Sequence, residues 1–245
     1  MTGLLTFLYG IISYVVFFVT FLYAIGFVGN LVVPKSIDSG VDGPLLTAVI
    51  INVILLGVFA VQHSVMARPA FKRWWTQFVP QAMERSTYVL LTNVALILLY
   101  CFWQPMTGTI WYVENSVGSL LLSALFWLGW VLVLLSTFMI NHFDLFGLRQ
   151  VYLRLKGEEY TSIGFKAPWL YRHIRHPIMT GFIIAFWATP HMTTGHLLFA
   201  VATTLYILIA LQLEERDLLH AFGDTYKDYR RQVSMLFPWK TTKRE

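Results

Sequence analysis

Apolar positions in this chain run in long blocks separated by short polar ones. No charged side chain occurs before Lys35. A helix over Leu5–Val32 would be roughly 40 Å long, enough to cross a bilayer with some tilt. Leu45–Val65, Tyr88–Trp103 and Leu120–Ile140 predict three more spans, bounded by the turn-rich segment Pro34–Pro44, by Gln104-Pro105 and by Asn141-His142. Between the last two spans, Pro105–Gly118 carries Trp111 and Tyr112, amphipathic aromatics that favour the lipid–water boundary. Two further apolar arms, Ile178–Thr189 and Leu197–Leu213, flank Pro190–His196. The first arm is too short to span, so a helical hairpin that dips into the membrane and returns is predicted. The expected fold is therefore all-α: a polytopic integral membrane helical bundle of four full spans plus a C-terminal hairpin over 178–213. Residues 1–141 form the spanning part and 142–245 the remainder.

Composition agrees with this pattern. Hydrophobic residues make up 57% of the 245 and charged residues 13%, against about a quarter charged in an average soluble domain. Lipid must cover what so few charges cannot. An aromatic content of 16% excludes a disordered chain. The single cysteine, Cys101, excludes a disulfide framework and any cysteine-based metal centre.

A net charge of +5 would suggest nucleic acid in a soluble protein. In a membrane protein the placement of the charges matters more. Of 18 Lys and Arg, only Lys35 falls in a loop assigned outside; four lie at Arg68–Arg85, six at Arg149–Arg175 and seven from Arg216 onward. By the positive-inside rule those three segments, and both termini, face the cytoplasm. No nucleic-acid partner is expected. The start lacks the basic residues and small-residue cleavage site of a signal peptide, so the first span is expected to be retained.

Several polar groups at membrane depth need a reason, since they are costly there. His63 closes the second span; an interfacial histidine bonded to a neighbouring helix would explain it equally well. His142 and Asp144 follow the fourth span in Asn141-His142-Phe143-Asp144-Leu145-Phe146-Gly147-Leu148-Arg149-Gln150, which also reads as a helix end and interfacial linker. Tyr171-Arg172-His173-Ile174-Arg175-His176-Pro177 is sharper. Pro177 suits the first position of a helix whose free N–H groups attract carboxylate or phosphate. Arg172, Arg175 and His176 add donors, and Gly181 lets a backbone or ligand approach closely. Glu214 and Glu215 end the last apolar arm. Adjacent residues diverge by about 100° on a helix, so one carboxylate points inward. Gly223 reads as a helix stop and Asp224 as the next N-cap. Tyr226, Tyr229 and Arg230 share a face of the short helix that follows. A topogenic basic cluster and an interfacial anchor helix are the bland alternatives.

No G-x-G, G-x-S-x-G or H-E-x-x-H occurs, and the spacing of the seven histidines selects no metal site. Arg175-His176-Pro177-x-x-x-Gly181, Glu214-Glu215-x-x-Leu218 and Gly223-x-x-Tyr226-x-x-Tyr229 with a closing Pro238 together resemble the cofactor signature of membrane methyltransferases. These are the isoprenylcysteine carboxyl and phospholipid methyltransferases. Met179 stands where that family usually has Tyr. In the N-terminal half, Gln62-His63-Ser64, Arg68-Pro69, Glu84-Arg85-Ser86-Thr87-Tyr88 and Trp103-Gln104-Pro105 resemble the nurim-like branch. Within it, the Asn141–Gln150 segment is similar to bacterial enzymes that methylate methanethiol.

The resemblance implies a cofactor, S-adenosylmethionine, bound by 142–245, and a small volatile thiol, methanethiol, as acceptor, giving dimethyl sulfide at a bacterial inner membrane. It implies that Arg172 or Arg175, with the helix start at His176, Pro177 and Gly181, holds the cofactor carboxylate. Glu214 or Glu215 would accept from its ribose or ammonium group, and Tyr226, Tyr229 and Arg230 would hold its adenine. A thiol is mostly protonated at neutral pH and reacts as thiolate; His63, His142 and Asp144 are the candidate proton acceptors. A lipid amine or prenylcysteine acceptor, a structural membrane protein and a haem or metal protein remain as alternatives.

Overall fold

A computed structural model describes residues 2–161 and 164–239; Lys240, Lys243 and Arg244, counted above among the cytoplasmic charges, lie outside the described residues. The elements are α1 (Gly3–Gly29), α2 (Leu45–Ala67), α3 (Pro69–Trp75), α4 (Gln81–Phe102), β1 (Thr109–Tyr112), α5 (Ser116–Ile140), α6 (His142–Leu145), α7 (Leu148–Lys156), a 3₁₀ turn (Trp169–Arg172), α8 (Pro177–Trp187), β2 (His191–Thr193) and α9 (Thr194–Gln232). Five helices, α1, α2, α4, α5 and α9, are long and apolar enough to cross a membrane; α8 is the short arm. Large apolar side chains stand exposed along them, Leu46 at 73% and Leu120 at 70% among others, as a lipid-facing surface requires. The protein is an all-α polytopic membrane protein.

The chain forms two compact units. The first comprises 2–108, 141–161 and 193–196, the second 109–140, 164–192 and 197–239.

In the first unit, α1 ends at Asn30, whose left-handed backbone (φ 53°) lets its N–H bond back to Gly26. Helix α4 starts at Gln81, seven residues before the expected span. The polar run Glu84–Thr87 is helical because partners meet it: the Thr87 hydroxyl bonds Met83 O at 2.9 Å and lies 3.0 Å from Tyr9 Oη. The segment after α5, which in sequence reads either as a candidate site or as a helix end and interfacial linker, folds into α6 and α7. Asn141 caps α6 by accepting from Asp144 N, and Gly147 (φ 88°) turns the chain into α7. No side chain fits at Gly147, since a Cβ there would lie 2.6 Å from Ser86 Oγ. Met66, Tyr88 and Val89 pack with Phe17, Phe71 and Phe146.

In the second unit, α5 and α8 meet backbone to backbone. A Cβ on Gly129 would lie 2.7 Å from Gly181 O, and one on Gly181 2.7 Å from Gly129 O. Small residues at a crossing let apolar helices approach this closely. Helices α8 and α9 then run antiparallel. Phe186 meets Phe199 at 5.0 Å, Trp187 Nε1 donates to Thr204 Oγ1 at 2.9 Å, and Met179 and Phe182 pack on Ile207 and Leu211. This is the expected hairpin. Its two arms are joined through a short β1–β2 pairing that the sequence pattern did not reveal. At Gly223 (φ 53°, ψ −128°) α9 breaks and resumes, as its glycine suggested.

Gly181→Ala should lower the thermal unfolding midpoint in detergent, by overpacking worth about 1–3 kcal/mol. Gly57→Ala, inside α2 and with nothing within 4 Å of the new carbon, should not lower the midpoint and should raise it slightly through helix propensity.

Candidate functional site

The second unit gathers most of the singled-out residues at one place. Pro168 leads into the 3₁₀ turn, and Ile174 pairs as a parallel bridge with Ser234 beyond α9. Arg175 N donates to Ser234 O at 2.8 Å, His176 N to Met235 O at 3.1 Å and Thr180 Oγ1 to Leu236 O at 2.7 Å. The segment 233–236 is thus fastened along the entry to α8. That entry in turn sets Arg175 and His176 against the acidic end of the apolar part of α9.

Glu215 is the carboxylate that turns inward, at 3% exposed. Arg175 Nε and Nη2 lie 2.7 and 2.6 Å from its Oε1, and His176 Nε2 lies 3.3 Å from the same oxygen. Arg230 Nε reaches Oε2 at 3.2 Å. The remaining nitrogen of Arg175, Nη1, donates to the carbonyls of Val233 and Arg230. All three nitrogens of the Arg175 guanidinium and both oxygens of Glu215 are therefore engaged by the protein itself. Such a buried pair is tolerated only because its hydrogen bonds are complete.

Glu214 sits differently. Its side chain is 47% exposed, and its Oε2 lies 3.8 Å from His176 Nδ1. Arg172 is exposed and has no ion pair or hydrogen bond among the described residues. Of the two alternatives in each pair, the exposed carboxylate and the exposed guanidinium are the ones still open to a ligand. Pro177 starts α8 at its first turn. The open space beside Gly181 is taken by the backbone of Gly129.

Tyr226 and Tyr229 lie 5.8 Å apart and share a cluster that sequence reading missed. Phe165 packs 5.8 Å from Tyr226 and 5.1 Å from Tyr229, with Phe222 at 5.5 Å from Phe165. Phe165 carried no signal, because it sits in an irregular segment far ahead of its partners in the chain. Tyr229 Oη donates to Tyr171 O at 2.5 Å, tying the cluster to the 3₁₀ turn. Burial pushes the Tyr171 hydroxyl pKa up. The Tyr226 hydroxyl is buried and has no hydrogen-bond partner among the described residues, a position that asks for one.

His63, His142 and Asp144 belong to the first unit. The His63 ring nitrogens lie 2.9 and 3.0 Å from Tyr88 Oη. His142 is 3% exposed, with Nε2 2.7 Å from Tyr14 Oη, and burial lowers its pKa. Asp144 is held by Arg149 at 3.1 Å, Gln150 at 3.4 Å and Tyr160 at 3.3 Å.

Glu215→Gln should cost about 3–5 kcal/mol by leaving Arg175 buried without its counter-charge, read as a fall in unfolding midpoint. Glu214→Gln should change stability by less than about 0.5 kcal/mol.

No protein-family model matches this chain, and no solved structure does so significantly. Named relatives do. The methanethiol S-methyltransferase of Mycobacterium tuberculosis is 65% identical over 235 residues, 96% of each chain. Methanethiol S-methyltransferase 1 of Bradyrhizobium diazoefficiens is 58% identical over 236 residues, 96% of this chain and 83% of its own. Nurim of Rattus norvegicus is 31% identical over 185 residues, 72% of this chain and 70% of nurim. Similarity of this extent, along nearly the whole length, makes the chain a member of the methanethiol S-methyltransferase family and a methyltransferase of the membrane.

Proposed function

We propose that this protein methylates methanethiol to dimethyl sulfide with S-adenosylmethionine as methyl donor. The reading is carried by the near full-length identity to relatives named for that reaction. The donor set of the second unit supports it. An exposed carboxylate, an exposed guanidinium, an aromatic cluster and an unpartnered buried tyrosine hydroxyl match a ligand with amino-acid, ribose and adenine parts.

Within this reading, Glu214 accepts from the ribose hydroxyls or the ammonium group, and Arg172 meets the carboxylate beside the start of α8 at His176 and Pro177. Tyr226 offers its hydroxyl to the adenine edge. Tyr229 and Phe165 wall the ring, while Glu215, Arg175 and Arg230 hold the frame. When bound, S-adenosylmethionine supplies an electrophilic methyl group on a sulfonium. The chain's own task is then to hold the acceptor in line and to take its proton, since orientation supplies much of the rate.

His142 is assigned that proton. Its lowered pKa keeps the imidazole neutral, and so able to accept, at cytoplasmic pH. Asp144 is committed to Arg149 and Gln150, and both nitrogens of His63 face Tyr88. We further propose an inner-membrane location with cytoplasmic termini, from the distribution of Lys and Arg.

The direct test incubates membranes holding the protein with methanethiol and isotope-labelled methyl donor. Labelled dimethyl sulfide in the headspace supports the reading, and its absence with folded protein contradicts it. Glu214→Gln should weaken binding of the demethylated donor about tenfold, the loss of one charge-assisted hydrogen bond, by calorimetric titration and without a change in unfolding midpoint. On acidification, kcat/KM should hold through pH 6.5, the ordinary histidine value, and fall only below it. A fall centred at or above 6.5 would exclude His142 as the acceptor.

A further inference from the structure

Helix α9 does not end at the Glu215 frame. It runs on to the break at Gly223 and resumes, and residues from both limbs line a cavity of about 410 Å³. Leu219 lines it from before the break, and Lys227, Arg230 and Arg231 line it from after. The three cations stand three and four residues apart, so they share one face of the resumed helix. All four residues belong to the second unit. Glu214, Arg172 and Tyr226, assigned above to the methyl donor, are not among the lining residues.

No carboxylate lines this cavity, and the acids beside it hold its cations weakly. Lys227 Nζ is 3.8 Å from Asp224 Oδ1 and Arg231 Nη1 is 3.5 Å from Asp228 Oδ1, with the two aspartates 93% and 63% exposed. Ion pairs so open to water are worth little. Arg230 is held at one edge: its Nε faces Glu215 Oε2 at 3.2 Å, while its side chain is 47% exposed. Neither of its Nη atoms makes a hydrogen bond among the described residues. Two guanidiniums and an ammonium beside one leucine fit a phosphate, whose oxygens match the guanidinium fork.

Depth decides where that phosphate comes from. Leu219 stands six residues past Leu213, where the apolar block ends, which is about 9 Å along the helix. Lipid headgroups occupy roughly the first 5–8 Å outside the hydrocarbon core, within reach of long Lys and Arg side chains. Beyond the segment 233–236 that is fastened to the entry of α8, Phe237 and Trp239 stand 41% and 70% exposed, with their rings 6.0 Å apart. Exposed aromatics at such a helix end favour the lipid–water boundary. We infer that the cavity lined by the two limbs of α9 binds the phosphate of an anionic phospholipid. The phosphate takes the Nη edge of Arg230 while Nε stays on Glu215, so one side chain joins the lipid to the frame of the donor site.

The test titrates the full-length protein in nonionic detergent, by calorimetry, with dihexanoyl-phosphatidylglycerol, with zwitterionic phosphatidylcholine of the same chains and with inorganic phosphate. Phosphatidylglycerol should bind at least about tenfold more tightly than either of the others. Equal affinity for phosphatidylcholine would mean an apolar contact only, and equal affinity for inorganic phosphate would give the cavity to a soluble anion; either overturns the proposal. Saturating demethylated donor should not displace the lipid. Displacement would make the cavity part of the donor site and would also overturn it. These arms need no variant, and none of them depends on which thiol is methylated.

Two variants then separate a built site from a generally basic surface. Lys227→Gln combined with Arg231→Gln should weaken phosphatidylglycerol about 30-fold, at about fivefold per surface cation. Leu219→Trp keeps every charge and fills the cavity, and should reduce phosphatidylglycerol to the affinity of phosphatidylcholine. Undiminished binding in Leu219→Trp would mean that the lipid is held by the charged surface as a whole, and the site would be rejected.

Discussion

The buried carboxylate of Glu215 organises the second unit. Three cationic or polar side chains from two distant stretches of chain converge on its two oxygens: Arg175 and His176 ahead of α8, and Arg230 beyond the break in α9. Each stretch has a different local logic, the entry to a proline-started helix and a helix resumed after glycine. Neither could hold its charge out of water alone. The same network directs Arg175 Nη1 onto the Val233 and Arg230 carbonyls, so the tail past α9 is fastened by the residues that neutralise Glu215. Glu214 is left at the surface of this frame, one residue and about 100° of helix away. A fixed carboxylate with an exposed neighbour separates the part that holds shape from the part free to meet a ligand.

Much of this was legible in the sequence. Apolar blocks bounded by Pro, Gly and polar clusters marked the long helices, and the 12-residue first arm marked the hairpin. The arithmetic of adjacent helical residues required one of Glu214 and Glu215 to turn inward, though not which. Gly223 announced the break in α9, because a lone glycine before Asp224 has no other use there. Spacing also marked Arg175, His176, Tyr226 and Tyr229, since each lies at a fixed offset from a proline or glycine that sets its backbone.

What escaped the sequence depends on contacts between distant segments. The early start of α4 needed Tyr9 to meet Thr87. The β1–β2 pairing joins residues some 80 positions apart, each strand only three or four residues long. Phe165 enters the tyrosine cluster from an irregular segment with no periodicity to betray it. Tyr14 looks like any lipid-span tyrosine until His142 is found 128 positions later at its hydroxyl. Arg172 and Arg175 are alike in sequence; only the completed network around Glu215 distinguishes the arginine that is used from the one that is open.

The division of labour between the two glutamates is tested most directly by a structure of the protein with the demethylated methyl donor bound. The account predicts the ligand against Glu214, Arg172 and Tyr226, with Glu215 still paired to Arg175 and Arg230. A ligand bound through Glu215, with Arg175 drawn away from it, would contradict the account.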